Sequence, residues 1–226
     1  MINMQNNTHP TSAFRVIIIL LIVLAASILT AKYFLEKSIS VEEVATPLDP
    51  LKKPKQNNVQ DFKSFTINQG NLQLLIFPQA EYEMTAKVMS KKRYHNGWES
   101  RIIPYDLALA WGKLTESEMK KFIKYTQMLR FYFYKFTRDC PLTQEYIGDH
   151  SSNNHLIPAN KNILNVLRKI RKGDIIQLWG YLVNIKGTYK GKDVNWKTST
   201  SRADTGNGAC ELIYVEKVRL KNKIYR

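Results

Sequence analysis

The stretch from Val16 to Ala31, VIIILLIVLAASILTA, constrains this chain more than any other part of it. It holds sixteen residues without a charge, and extension through Lys32 to Leu35 makes twenty. Twenty helical residues span about 30 Å, the thickness of a bilayer's hydrocarbon core. Lys32 can snorkel, and Tyr33 and Phe34 suit the interface. The run is apolar all round and lies at a terminus, which argues against a buried core helix. A cleaved signal peptide is the rival, because Ala25-Ala26-Ser27 follows a nine-residue apolar core. Arg15 is the only formal side-chain charge before the run, which is poor for a signal peptide. The expectation is a short polar tail over residues 1–13, then one uncleaved transmembrane helix over residues 14–35.

Orientation follows less directly. Lys32, Lys37, Lys52, Lys53 and Lys55 come after the helix, and a plain count of positive charges would leave the large domain inside. Long domains translocate largely regardless of charge, however. A short tail before a single helix behaves as a signal anchor. The expected location is the inner (plasma) membrane, single-pass, with the large domain extracytoplasmic.

Residues 36–61 contain Pro47, Pro50 and Pro54 without sustained periodicity and suggest a linker. A soluble domain is expected over residues 62–226. The 44% hydrophobic and 11% aromatic content of the chain excludes wholesale disorder. Leu72–Phe77 and Ala80–Met89 suggest two strands separated at Pro78. Pro104–Leu114 suggests a buried strand or a helical turn. Thr115–Glu118 suggests a helix start, and the aromatic run Phe131–Phe136 a strand. Asn160 is placed to cap a helix over Lys161–Arg171, which Gly173 ends. Asp174–Lys186, Val194–Ser199 and Cys210–Leu220 suggest further strands. Gly180, inside the first of these, suggests a bulge or a barrel bend. The expected fold class is α+β: the transmembrane helix, then a mostly antiparallel β domain with one or two helices, a small OB/SH3-like barrel or a sandwich.

Four segments carry a resemblance: DLALAWGKL at Asp106–Leu114, HSSNNHLIPAN at His150–Asn160, GDIIQLWGYLV at Gly173–Val183 and WKTSTSRADTGNGACELIYVE at Trp196–Glu216. Together they resemble a bacterial family of membrane-associated hypothetical proteins with no established activity. The resemblance covers roughly Tyr94 to Glu216. It implies one contiguous domain and supplies no mechanism.

Several polar residues are candidates for chemistry. His150 and His155 are candidate general bases and at most two ligands of a metal, with Asp204 and Glu211 as candidate acid/base partners. Their spacing is not that of a helical zinc pair, and no cofactor is expected. Arg202 is placed to hold an anion, and Asn153 and Trp196 join it as candidate ligand-binding residues. Cys140 and Cys210 can form a disulfide in an exported domain, closing a loop worth roughly 4 kcal/mol. Two cysteines exclude a disulfide-dense scaffold.

Net charge is +15, and residues 161–226 hold fifteen Lys and Arg against five acids. Such a field favours anionic lipid, an acidic envelope polymer or nucleic acid. Nucleic acid is hard to reconcile with export. Three functions remain open: a membrane-anchored module binding an anionic envelope component or a partner protein, a metal-dependent or acid/base hydrolase, and a nucleic-acid-binding barrel if the domain is cytoplasmic.

Overall fold

The computed structural model describes residues 12–201 and 209–226. The chain divides into two units, Met1–Lys37 and Ser38–Arg226. The first holds one helix, α1 (Ser12–Glu36). Its Phe14–Tyr33 segment is long and apolar enough to cross a membrane, and none of it is buried in protein.

The second unit is α+β. In chain order it holds β1 (Glu42–Glu43), β2 (Lys55–Asn57), β3 (Phe65–Gln69), β4 (Leu72–Arg93), α2 (Glu99–Ile102) and β5 (Tyr105–Ala110). Then come β6 (Ile123–Met128), β7 (Phe131–Phe136), α3 (Gln144–Asp149), β8 (Ser151–Pro158) and α4 (Lys161–Lys169). The last elements are β9 (Ile175–Tyr189), β10 (Lys192–Trp196), β11 (Glu211–Leu220) and β12 (Lys223–Tyr225).

Five strands pair in sequence and return to the first. β4 pairs antiparallel with β5, β5 antiparallel with β8, β8 parallel with β11, β11 antiparallel with β9, and β9 antiparallel with β4. β4, at 22 residues, also pairs with β2 and β3, so it serves four strands along its length. It runs through Pro78, where the sequence suggests a break; the register shifts between Pro78 and Ala80 instead. Proline has no N–H to donate, so a local irregularity absorbs it.

Glycine permits the closest approach. A Cβ on Gly180 would lie 1.9 Å from the Tyr214 carbonyl oxygen of β11. The register irregularity is not at Gly180 itself but on the facing strand, between Val215 and Lys217.

Leu107, Leu109, Trp111, Leu156, Leu178, Ile213 and Val215 pack in one cluster with Ile163, Val166 and Leu167 of α4. The Asn160 side chain caps α4 by accepting from Ile163 N at 3.0 Å. At the other end Lys91 Nζ donates to the carbonyls of Leu167, Arg168 and Ile170 at 2.6–2.9 Å. Burial holds the Lys91 amine down to about 8, with Asp174 pulling the other way. Between that value and the ordinary 10.5 the unfolded chain holds more protons, so stability rises with pH there. Thermal melts at about pH 7.5 and about pH 9.5 should show this gain in the wild type and its loss in Lys91→Met. Equal slopes in the two proteins would show that the amine titrates normally.

Three sequence expectations change. Residues 38–61 belong to the second unit: β1 pairs with β12, β2 pairs with β4, and the Arg219 guanidinium donates to the Val44 and Thr46 carbonyls. Docking through backbone groups leaves no periodicity in the sequence. The helix that starts after Thr115 is a short 3-10 helix, Ser117–Lys121, rather than an α-helix. Cys140 and Cys210 are not joined to each other in a disulfide. Cys140 packs against the cluster under the β6–β7 hairpin, whereas Cys210 lies beside Asn153 at the start of β11.

Candidate functional site

β5 and β8 are buried on both faces, and cross-strand pairing sets their side chains in rows. Asp106 lies opposite His155, Ala108 opposite Asn153, and Ala110 opposite Ser151. The two alanines leave room for the β6–β7 hairpin, which lies over this face and packs Ile123 and Tyr125 against Ala108 and Ala110.

The contact between hairpin and sheet is polar and buried. Gln127 Nε2 donates to Asn153 Oδ1 at 2.7 Å, and Asn153 Nδ2 donates to the Arg130 carbonyl at 2.7 Å. Arg130 Nη1 donates to Asp106 Oδ1 at 2.8 Å and to the Ile103 carbonyl at 3.0 Å. The Tyr132 hydroxyl donates to the Ser151 carbonyl at 3.1 Å, and burial pushes that phenol up to about 12. Asp106 is fully buried, so its charge needs partners. Arg130 is one, and His155 Nδ1, 3.0 Å from Asp106 Oδ2, is the other. That second contact is close in distance but too poorly angled to count as a hydrogen bond. It is a close polar contact between a buried imidazole and a buried carboxylate.

Arg130 also stacks. Its guanidinium sits 3.9 Å above the Tyr94 ring and 5.9 Å from the Trp196 ring centre. Tyr94 OH accepts from Arg130 N at 3.0 Å, and burial and the Asp106 charge raise its pKa. The buried Arg130 Nη2 has no hydrogen-bond partner among the described residues.

Arg130, His155 and Trp196 line a cleft of about 530 Å³. Trp98 and Glu99 come from the β4–β5 connection, Arg130 and Phe131 from the hairpin, and His155 from β8. Asp193 to Trp196 come from β10, and Cys210 lies just before β11. Trp98 and Trp196 meet edge to face at 6.4 Å, and the Trp196 ring lies 4.5 Å from His155. The cleft thus offers two indoles, a guanidinium and an imidazole beside a buried carboxylate.

Of the residues suggested by the sequence, His155 and Trp196 line this cleft, and Asn153 ties the hairpin over it. His150 does not join them. It stacks on Tyr146 at 3.8 Å beside Gly112, at the end of α3. Five residues of extended chain, roughly 16 Å, separate it from His155. Glu211 is buried beside Asn154 in register and is not part of the cleft wall. Arg202 and Asp204 lie outside the described residues. Among the described residues no three His, Cys, Asp or Glu side chains are placed to hold a metal.

Asp106, Arg130 and Trp98 were not singled out from the sequence. Asp106 alone left a signal: a carboxylate within YDLALAW has only apolar neighbours, so burial forces it to find a cation. Comparisons with family models, curated proteins and solved structures find no match.

Proposed function

We propose that this chain is a single-pass plasma-membrane protein whose extracytoplasmic domain binds an anionic polymer of the cell envelope in the cleft beside Arg130. The observation that carries this reading is the cleft itself, where indole rings for stacking flank a guanidinium that keeps 17% of its side chain exposed. The ring of pairings supports an OB-type barrel. Its third and fifth strands, β8 and β11, run parallel, and α4 lies between its third and fourth. Barrels of that type bind chain-like ligands, saccharides among them, on the second and third strands and the adjoining loops. β5, β8, the β4–β5 connection and β10 occupy those places. The net charge of +15 favours an acidic ligand.

The test is equilibrium binding of the full chain, in detergent, to polyglycerol phosphate and to a polyuronate, with neutral dextran and single-stranded DNA as comparisons. Preference for the acidic polymers supports the reading; equal affinity for dextran, or tighter binding of DNA, contradicts it. Trp196→Ala is expected to weaken acidic-polymer binding about thirtyfold, as loss of a central aromatic contact does, with little change in far-UV circular dichroism. Reporter fusions at the C-terminus test the exported topology: phosphatase activity is expected, and cytoplasmic fluorescence without it would reverse the orientation.

A second reading, acid/base hydrolysis, is favoured by one observation. His155 Nδ1 lies 3.0 Å from the Asp106 carboxylate at the wall of a cleft, within the reach from which a small ring rotation would orient a general base. Time-dependent release of fragments from the bound polymer, lost in His155→Gln, would favour it over simple binding.

A further inference from the structure

Three local rules fail together on the β6–β7 hairpin. Lys124 and Lys135 stand directly opposite each other, a like-charge pair that opposes strand pairing. The two-residue turn, Leu129-Arg130, takes positive φ at both positions, +50° and +69°, without a glycine. The face turned away from the sheet exposes large apolar groups: Met128 is 59% exposed, Leu129 76% and Phe133 48%. Exceptions of this kind gather where function overrides local preference.

The exceptions are ordered along the hairpin. Alternation puts Lys124, Thr126 and Met128 of β6 on the outer face, paired with Lys135, Phe133 and Phe131 of β7. From base to tip the outer face therefore runs lysine pair, threonine with phenylalanine, methionine with phenylalanine, then Leu129. Lys120 and Lys121 add exposed charge at the base. The turn holds its shape because Arg130 is tied by Asp106, Ile103, Asn153 and Tyr94. With Arg130 committed inward, Leu129 is left at the apex.

We propose that this hairpin tip inserts into the interface of a bilayer carrying anionic lipid, with Met128, Leu129 and Phe133 at the acyl boundary and Lys124 and Lys135 among the headgroups. The proposal rests on the membrane span read above. The apolar part of this face, from Thr126 to Leu129, spans about 10 Å of strand, the depth to which interfacial elements bury. The lysines complement anionic headgroups. The tether between span and domain is short in sequence: α1 ends at Glu36 and the second unit begins at Ser38.

The experiment uses the full chain in vesicles of phosphatidylcholine with phosphatidylglycerol. Benzoylphenylalanine is placed singly at Leu129, at Leu24 in the span, and at Lys190 in the exposed β9–β10 turn. Lipid adducts at positions 129 and 24, but not 190, are the expected result. Lys124→Glu combined with Lys135→Glu should lower the adduct at 129 at least about tenfold, leaving that at 24 unchanged. Adducts at 24 without any at 129 would overturn the hairpin proposal and leave the span standing. Protein–protein adducts at 129, instead of lipid ones, would also overturn it by assigning the face to a second copy. Absence of lipid adducts at both 24 and 129 would overturn span and hairpin together.

Discussion

Replacing Asp106 by alanine is expected to remove about 3–5 kcal/mol of stability, because it leaves the largely buried Arg130 guanidinium without its counter-charge. Asp106 has no exposed surface, Arg130 presents 17% of its side chain and His155 2%. Arg130 would lose the carboxylate it meets at 2.8 Å while keeping its bonds to Ile103 and Asn153. Urea denaturation of the full chain in detergent would measure the loss. Most domains have only about 5–15 kcal/mol in total, so the variant should be marginal at 37 °C. Asp106→Leu combined with Arg130→Met should recover much of the loss, since removing both charges leaves neither uncompensated. A loss under about 1 kcal/mol would mean that water reaches the cluster and screens it.

Gly180→Ala is expected to be nearly as damaging, for steric reasons alone. The new methyl would sit 1.9 Å from the Tyr214 carbonyl oxygen and 2.9 Å from its carbon. These are backbone atoms of a paired strand, so no rotamer change relieves the clash. β9 and β11 would have to separate where their register already shifts. A cost of about 3 kcal/mol, the upper end for overpacking, is expected. Gly148→Ala is the internal control. Its methyl would meet nothing nearer than Tyr134 Oη at 3.7 Å, and the residue lies in helix α3. Alanine is preferred there by up to about 1 kcal/mol, so that variant should be neutral or stabilising. Equal behaviour of the two variants would mean that the strand crossing is looser than described.

The sequence carries the elements whose signals are local. The charge-free run before Lys32 marks α1, and Asn160 with Ile163, Val166 and Leu167 marks α4. Gly180 marks a close crossing without saying which strand crosses. The parallel pairing of β8 with β11 is set by partners more than fifty residues apart and leaves no local trace. The site divides in the same way. His155, Asn153 and Trp196 stand out as polar or aromatic residues between apolar runs. Arg130 does not, since its role depends on a hairpin folding back across β5 and β8. The two histidines look alike in sequence, yet the end of α3 takes one and the cleft takes the other.

If the cleft between the hairpin and β10 receives an acidic polymer, oxidative footprinting of the tryptophans will register it. Trp98 and Trp196 line the cleft, Trp179 lies elsewhere beneath Lys217, and Trp111 is 1% exposed. The full chain would be oxidised by hydroxyl radicals with and without saturating polyglycerol phosphate. Selective protection of Trp98 and Trp196, about fivefold or more where stacking excludes solvent, with Trp179 unchanged, is the predicted result. Protection of Trp179 alone, or of no tryptophan while the polymer is bound, would contradict the account.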